Sequence, residues 1–226
     1  MDVSHRARYC SAGHFVPRIA FEEIRFAHRL ATLDTPPAQP PAMSNMDGLT
    51  VTECQRCEAL CESRSQIVNG VGPADADLLF VGEGPGANED EQGEPFVGRS
   101  GDVLDETLRT VGLDRGDVRI TNCVRCRPPD NRDPHREELA NCRGYLETEI
   151  ELVDPELVVT LGKVPGEHLL ERDVAVTGEA GDVADMTIAG APQPVMICVH
   201  PAATLYDPSQ KETFKSTLEK AAEFTD

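Results

Sequence analysis

Cys54-Gln55-Arg56-Cys57 sets two thiols close enough to hold one metal centre, and Cys126 and Cys142 supply further sulfur donors. Four thiolates suit either zinc or an iron-sulfur cluster, and spacing alone leaves both open. Cys123-Val124-Arg125-Cys126 is formally a second pair, but 65 residues separate it from Cys57. A zinc ribbon uses a gap of roughly 15 to 20. Cys123 ends an apolar run and is expected to be a buried small hydrophobe, as is Cys198; Cys10 and Cys61 are given no metal role. With no export features in the chain, eight cysteines point to thiols or metal ligands instead of a disulfide framework. A second group of reactive types follows apolar runs directly: Gly82-Glu83-Gly84-Pro85-Gly86, Asn122, Gly162-Lys163 and His200-Pro201.

The elements that must position these groups are legible as an alternation of apolar runs and helix-like stretches from Ala76 onward. Leu78 to Val81, Val118 to Thr121, Leu157 to Leu161 and Val195 to Val199 read as buried strands. Helices are expected over 101–111, 136–152, 164–172 and 209–223, with a small hairpin within 174–190. The fold class is therefore α/β, a single domain with a central, mainly parallel four-stranded sheet flanked by helices. Ligands of open parallel sheets bind beyond the carboxyl ends of the strands. Glu83, Asn122 and His200 are thus expected in one cleft.

Composition narrows the setting. Forty acidic residues against 21 basic give a formal net charge of −19, and Lys occurs only at 163, 211, 215 and 220. Such a surface is halophile-like, because its self-repulsion is screened when salt shortens the Debye length to about 3 Å at 1 M. It argues against a nucleic-acid partner, which normally calls for a basic footprint. Residues 1–42 break the pattern with five Arg, four acids and a Pro-rich end. Residues 1–45 read as a disordered or non-native extension, with Met43 or Met46 as an alternative start, leaving 46–226 as the folded domain. With no long apolar run, the expectation is a cytoplasmic protein that does not enter the membrane.

Several segments together resemble the type-4 uracil-DNA glycosylases. Cys54-x-x-Cys57 is similar to the family's first ligand pair, and Gly82-Glu83-Gly84-Pro85-Gly86 followed by Glu89-Asp90 to its first motif. Gly93-x-Pro95-Phe96-Val97-Gly98-Arg99-Ser100-Gly101 resembles the next block, and Asn122-x-x-x-Cys126-Arg127-Pro128-Pro129-x-Asn131-Arg132 the middle one. Val199-His200-Pro201-Ala202-Ala203 resembles the last. The resemblance spans Cys54 to Leu205 and overrules the charge argument against nucleic acid.

It implies a uracil-DNA glycosylase fold, a [4Fe-4S] cluster on Cys54, Cys57, Cys126 and Cys142, and uracil-containing DNA, single- or double-stranded, as partner to a monomer. Cys123 departs from the family, which is usually apolar there. Flipping a base out of its stack costs a few kcal/mol, recovered in a fitted pocket. Phe96 would stack on the uracil. Asn122 would match its N3–H and O4, while Gly82, Glu83 and Gly84 would line the pocket, with Glu83 crowding the 5-methyl of thymine. His200, acting neutral, would donate to O2 as negative charge grows on the leaving base. Glu89 and Asn131 would position the water that attacks the sugar. Arg99, Arg127, Arg132 and Lys163 would touch phosphate, and Ala202 to Leu205 would enter the space left by the flipped base. Two rivals need fewer residues: a non-catalytic, metal- or cluster-bearing nucleic-acid-binding module, and a phosphate-ester enzyme using Gly82–Gly86 as an anion cradle. The second lacks the Lys-Ser/Thr of a P-loop.

Overall fold

The computed structural model describes residues 46–188 and 190–225; the proposed extension before residue 46 and Cys10 lie outside them. After a two-residue hairpin of β1 (Met46–Asp47) and β2 (Thr50–Val51), the chain builds α1 (Glu58–Ser63) and then the main sheet. Its strands are β3 (Leu78–Gly82), β4 (Arg119–Asn122), β5 (Leu157–Leu161), β6 (Val183–Ile188) and β7 (Ala191–Cys198), in the order β4-β3-β5-β7-β6. The sheet pairs β4, β3, β5 and β7 in parallel, as the four apolar runs predict. The expected hairpin within 174–190 becomes something larger. β6 pairs antiparallel with the front half of β7 and makes a fifth, edge strand. Pro192 and Pro194 hide this extension of β7 from sequence reading, yet β5 reaches only as far back as Val195, so neither proline interrupts a two-sided ladder.

Helices α2 (Ala87–Gln92), α3 (Arg99–Thr110), α4 (Arg136–Val153), α5 (Lys163–Leu170) and α6 (Pro208–Ala222) complete the described chain. Alternation within the strands feeds two cores. Leu78, Phe80, Leu157, Val159 and Met196 pack with Leu104 and Leu108 of α3 and Phe214 and Leu218 of α6. On the other face Leu79, Val81, Val158 and Val195 pack with Leu146, Ile150 and Val153 of α4 and with Cys123. Helices α1 and α2 went unread because each is only six residues, and α2 is an Asn-Glu-Asp-Glu run without an apolar stripe.

One buried polar cluster crosses this architecture. Glu149 of α4 accepts from Arg119 Nε of β4 at 2.8 Å and from Arg125 Nη2 at 2.6 Å. Arg119 also donates to the carbonyls of Gly72 and Gly70 at 2.7 and 3.1 Å. The Glu149 side chain has no exposed area. Removing one member of a buried ionic group leaves unpaired charge in the core, at a cost of about 3–5 kcal/mol. Glu149→Ala is expected to lower the unfolding free energy by about that amount in urea denaturation, whereas an exposed ion pair would lose under about 1 kcal/mol.

Candidate active site

The carboxyl ends of β3, β4, β5 and β7 and the loops leaving them carry Gly82, Asn122, Gly162 and His200. The parallel register sets Gly82 opposite Asn122. A Cβ on Gly82 would fall on Asn122 Oδ1 and lie 2.6 Å from Phe96 Cε2, so this position must be glycine for the amide and the ring to meet. Phe96 is buried and holds a left-handed backbone, φ 54°, which bulky residues adopt only when their surroundings impose it. Arg115 supplies part of that restraint by donating to the Pro95 carbonyl at 2.5 Å while pairing with Asp105. Asn122 is buried at the strand end, and among the described residues its amide makes no side-chain hydrogen bond. Gly84 sits against Val124, whose N–H donates to the Glu83 carbonyl.

His200 faces Phe96, with ring centroids 5.9 Å apart and planes at 31°. Its Nδ1 accepts from the Ala202 N–H at 3.1 Å. That bond requires Nδ1 to be unprotonated and leaves the proton of the neutral ring on Nε2. Burial lowers the imidazole pKa to about 4, so the ring is neutral at ordinary pH. Gly162, at φ +110°, lets the end of β5 pass close under His200, where its Cβ would lie 3.3 Å from that of the histidine.

Glu83 is half-buried, and burial, with the charge and hydrogen bond of Asp133 added, pushes its carboxyl up to about 7. Glu89 occupies the third position of α2, and its Oε2 accepts from the Gly86 N–H at 3.1 Å, a capping contact that fixes the carboxylate at the helix mouth. Asn131 is exposed and accepts from Arg127 Nε at 2.8 Å. No hydrogen bond joins Glu89 to Asn131 among the described residues, so the two are held by separate partners. Of the expected phosphate contacts, Arg132 is committed to Glu138 through two bonds of 2.8 and 2.7 Å, and Lys163 lies 3.4 Å from Glu167. Arg99 is exposed.

A second site lies beneath. Cys54, Cys57, Cys61, Cys126 and Cys142 line a cavity of about 20 Å³ together with Arg64, Arg125, Glu138 and Asn141. Cys123 and Cys198 are absent from this lining and lie in the two cores. Among the described residues, no three His, Cys, Asp or Glu side chains form a group that could hold a metal ion as they stand. Arg64 donates to Cys126 Sγ at 2.8 Å and to the Cys54 carbonyl at 2.7 Å, while Asn141 Nδ2 lies 3.5 Å from Cys57 Sγ. Cys61 is turned aside, donating to the Cys54 carbonyl at 3.5 Å. Two nitrogens of the buried Arg125, Nε and Nη1, have no hydrogen-bond partner. Burial raises the thiols of Cys57 and Cys126 above their ordinary range and pushes Cys142 up to about 12.

Residues 69–222 match the model of the uracil DNA glycosylase superfamily. A type-4 uracil-DNA glycosylase of Archaeoglobus fulgidus is 37% identical over 187 residues, covering 80% of this chain and 94% of the relative. One from Pyrobaculum aerophilum is 40% identical over 172 residues (74% and 87%), and one from Thermotoga maritima 38% over 177 (77% and 90%). The chain belongs to the type-4 uracil-DNA glycosylases.

For a glycosylase of this type, sequence reading missed Arg64, Arg125, Asn141 and Asp133. Arg125 lies inside the Cys123-to-Cys126 stretch and Asp133 one residue past Arg132, so both had local cues. Arg64 and Asn141 reach the thiols only through the fold. A carboxyl held near pH 7 binds its proton more tightly folded than unfolded. Its contribution to stability is complete below the ordinary carboxylate range and is lost as pH rises through about 7. Glu83→Gln is therefore expected to raise Tm over the parent at pH 8 and to match it at pH 4. An equal difference at both values would break the link to Glu83 ionisation.

Proposed function

We propose that the chain hydrolyses the N-glycosidic bond of uracil in DNA, leaving free uracil and an abasic site. The observation that carries this reading is a neutral His200, facing Phe96, whose one N–H donor has no hydrogen-bond partner among the described residues. Uracil swung out of the stack would lie on the Phe96 ring, and the Asn122 amide would accept from N3–H and donate to O4. Cytosine reverses both polarities and would leave the buried amide mismatched. As the bond from N1 to C1′ breaks, its electron pair passes into the uracil ring and His200 Nε2–H stabilises the charge at O2. A hydrogen bond aimed at growing charge contributes about 10²–10³ in rate. Water then adds to C1′ and gives its proton to Glu89, with Asn131 assigned to hold that water. Glu83 and Gly84 would close the pocket against a 5-methyl group.

The cysteine-lined cavity fits a [4Fe-4S] cluster on Cys54, Cys57, Cys126 and Cys142. Four thiolates around such a cluster carry net negative charge, and both Arg64 at Cys126 and the unpartnered nitrogens of Arg125 answer it. A cluster so bound supplies no redox step to base excision. It ties the segment around Cys54 to the Cys126–Cys142 segment, coupling metal binding to folding. The acidic composition fits work in high salt as a monomer. No helix among the described residues is long and apolar enough to cross a membrane.

Incubation with a uracil-containing oligonucleotide, scored by alkaline cleavage, is expected to give abasic sites at uracil and none at thymine or cytosine. His200→Ala should lower kcat about 10²–10³-fold with little change in KM. Binding without cleavage by cluster-loaded protein would favour the non-catalytic module. For the metal centre, about four irons and four sulfides per chain are expected. Cys126→Ala should lose them and Cys123→Ala retain them, whereas stoichiometric zinc would replace the cluster assignment.

A further inference from the structure

We propose that Tyr206, with Leu205 beside it, is a stacking platform for a DNA base flanking the uracil that His200 receives, an inference that rests on the glycosylase reading. Among the described residues Tyr206 is the most exposed large hydrophobic side chain, at 81%, and Leu205 is 36% exposed. Only ten residues of the whole chain are aromatic, seven Phe and three Tyr. A tyrosine ring this exposed offers a flat apolar face on which a base can stack.

The position of this ring identifies what covers it. Pro201–Leu205 forms a 3-10 turn capped by His200, and Tyr206 ends that turn. At about 2 Å rise per residue, the Tyr206 backbone stands roughly 10 to 12 Å from that of His200. The turn is braced against α3 and α6. It is stiffened by bonds from Ala203 N–H to the His200 carbonyl (2.9 Å), from Thr204 Oγ1 to the Pro201 carbonyl (2.8 Å) and from Tyr206 N–H to the Ala203 carbonyl (3.2 Å). Asp207, next along, caps α6 through Ser209 N–H at 2.9 Å. The ring therefore projects from a fixed base, beside the residue to which the flipped base must come.

Charge makes the same selection. Tyr206 adjoins the exposed carboxylate of Asp207 in a chain of net charge −19, so a phosphate is repelled here while the face of a base is not. Phosphate contacts weaken steeply with salt, but stacking on an aromatic ring does not depend on releasing counterions. An acidic glycosylase can thus retain part of its grip on DNA at salt concentrations that erode its arginine contacts.

The chain contains no Trp, so Tyr206→Trp places its one tryptophan at the proposed contact, where it can be excited selectively. The probe is a single-stranded oligonucleotide carrying a tetrahydrofuran abasic site, with binding followed separately by the anisotropy of a dye on the DNA. Tryptophan emission is expected to be quenched at saturation, and quenching should disappear when the neighbouring nucleotides also lack bases. In uracil release, Tyr206→Ala should lower kcat/KM about ten-fold by the same factor at low and high salt, with Tyr206→Phe near the parent. Unquenched emission at full binding would overturn the proposal, as would a Tyr206→Ala loss confined to low salt. If the parent bound DNA but released no uracil, the glycosylase reading would fail while the fluorescence arm still judged the stacking contact.

Discussion

The carboxylate of Glu149 is the constraint on which both sites depend. It joins α4 to β4 through Arg119 and to the loop after β4 through Arg125. Asn122 is three residues beyond Arg119 on that strand, Cys126 adjoins Arg125, and Cys142 lies two turns before Glu149 on the helix. One buried anion with two guanidinium partners thus fixes the strand that carries Asn122 and the Cys126 and Cys142 side of the thiol-lined cavity. Arg119 extends the restraint to the Gly70 and Gly72 carbonyls of the incoming chain. The group carries an excess positive charge in a region that excludes water, a costly arrangement unless further negative charge is nearby. The thiolates proposed as cluster ligands meet that requirement, because Arg125 lines their cavity.

Pocket chemistry follows a different rule, that of neutrality. His200 is kept uncharged by burial and held in one tautomer by Ala202 N–H, and Asn122 presents an amide at a buried strand end. Fixed neutral donors need no reorganisation as charge develops, and low local polarity strengthens them. Glu83 fits the pattern, since burial beside Asp133 brings its ionisation near neutrality.

How much of this was legible follows from the distance over which each feature is encoded. Strands β3, β4 and β5 and helices α3 to α6 are continuous apolar patterns, so they could be read, as could the meeting of Asn122 and His200 at strand ends. The fifth strand was not, because its partner β7 begins with Pro192 and Pro194, residues whose tolerance depends on which neighbour is missing. Cys123, read as a small hydrophobe at the end of an apolar run, lies in the core, while Cys126 lines the cavity. Arg64 looks like an ordinary surface charge in sequence, and Arg119 sits in a run read as a buried strand with no partner in view. Only the fold shows that one meets a thiol and the other meets Glu149.

The path from the thiol cradle to the candidate water-activating group is short and continuous. Arg64 is bonded to Cys126 Sγ, and the next two residues grip α2: Ser65 N–H donates to both Asp90 carboxylate oxygens at 2.9 Å, and Gln66 Nε2 reaches the Asp90 and Glu91 carbonyls at 2.9 and 3.0 Å. Asp90 is buried and adjoins Glu89, whose carboxylate is fixed by its own bond to Gly86 N–H. Loosening the thiol end would free the Arg64–Gln66 segment, and α2, only six residues long, has little intrinsic stability with which to keep its place. The cluster proposed for the cradle would therefore influence bond cleavage without taking part in it. Cradle integrity sets the position of a short helix, and the helix sets the position of a carboxylate.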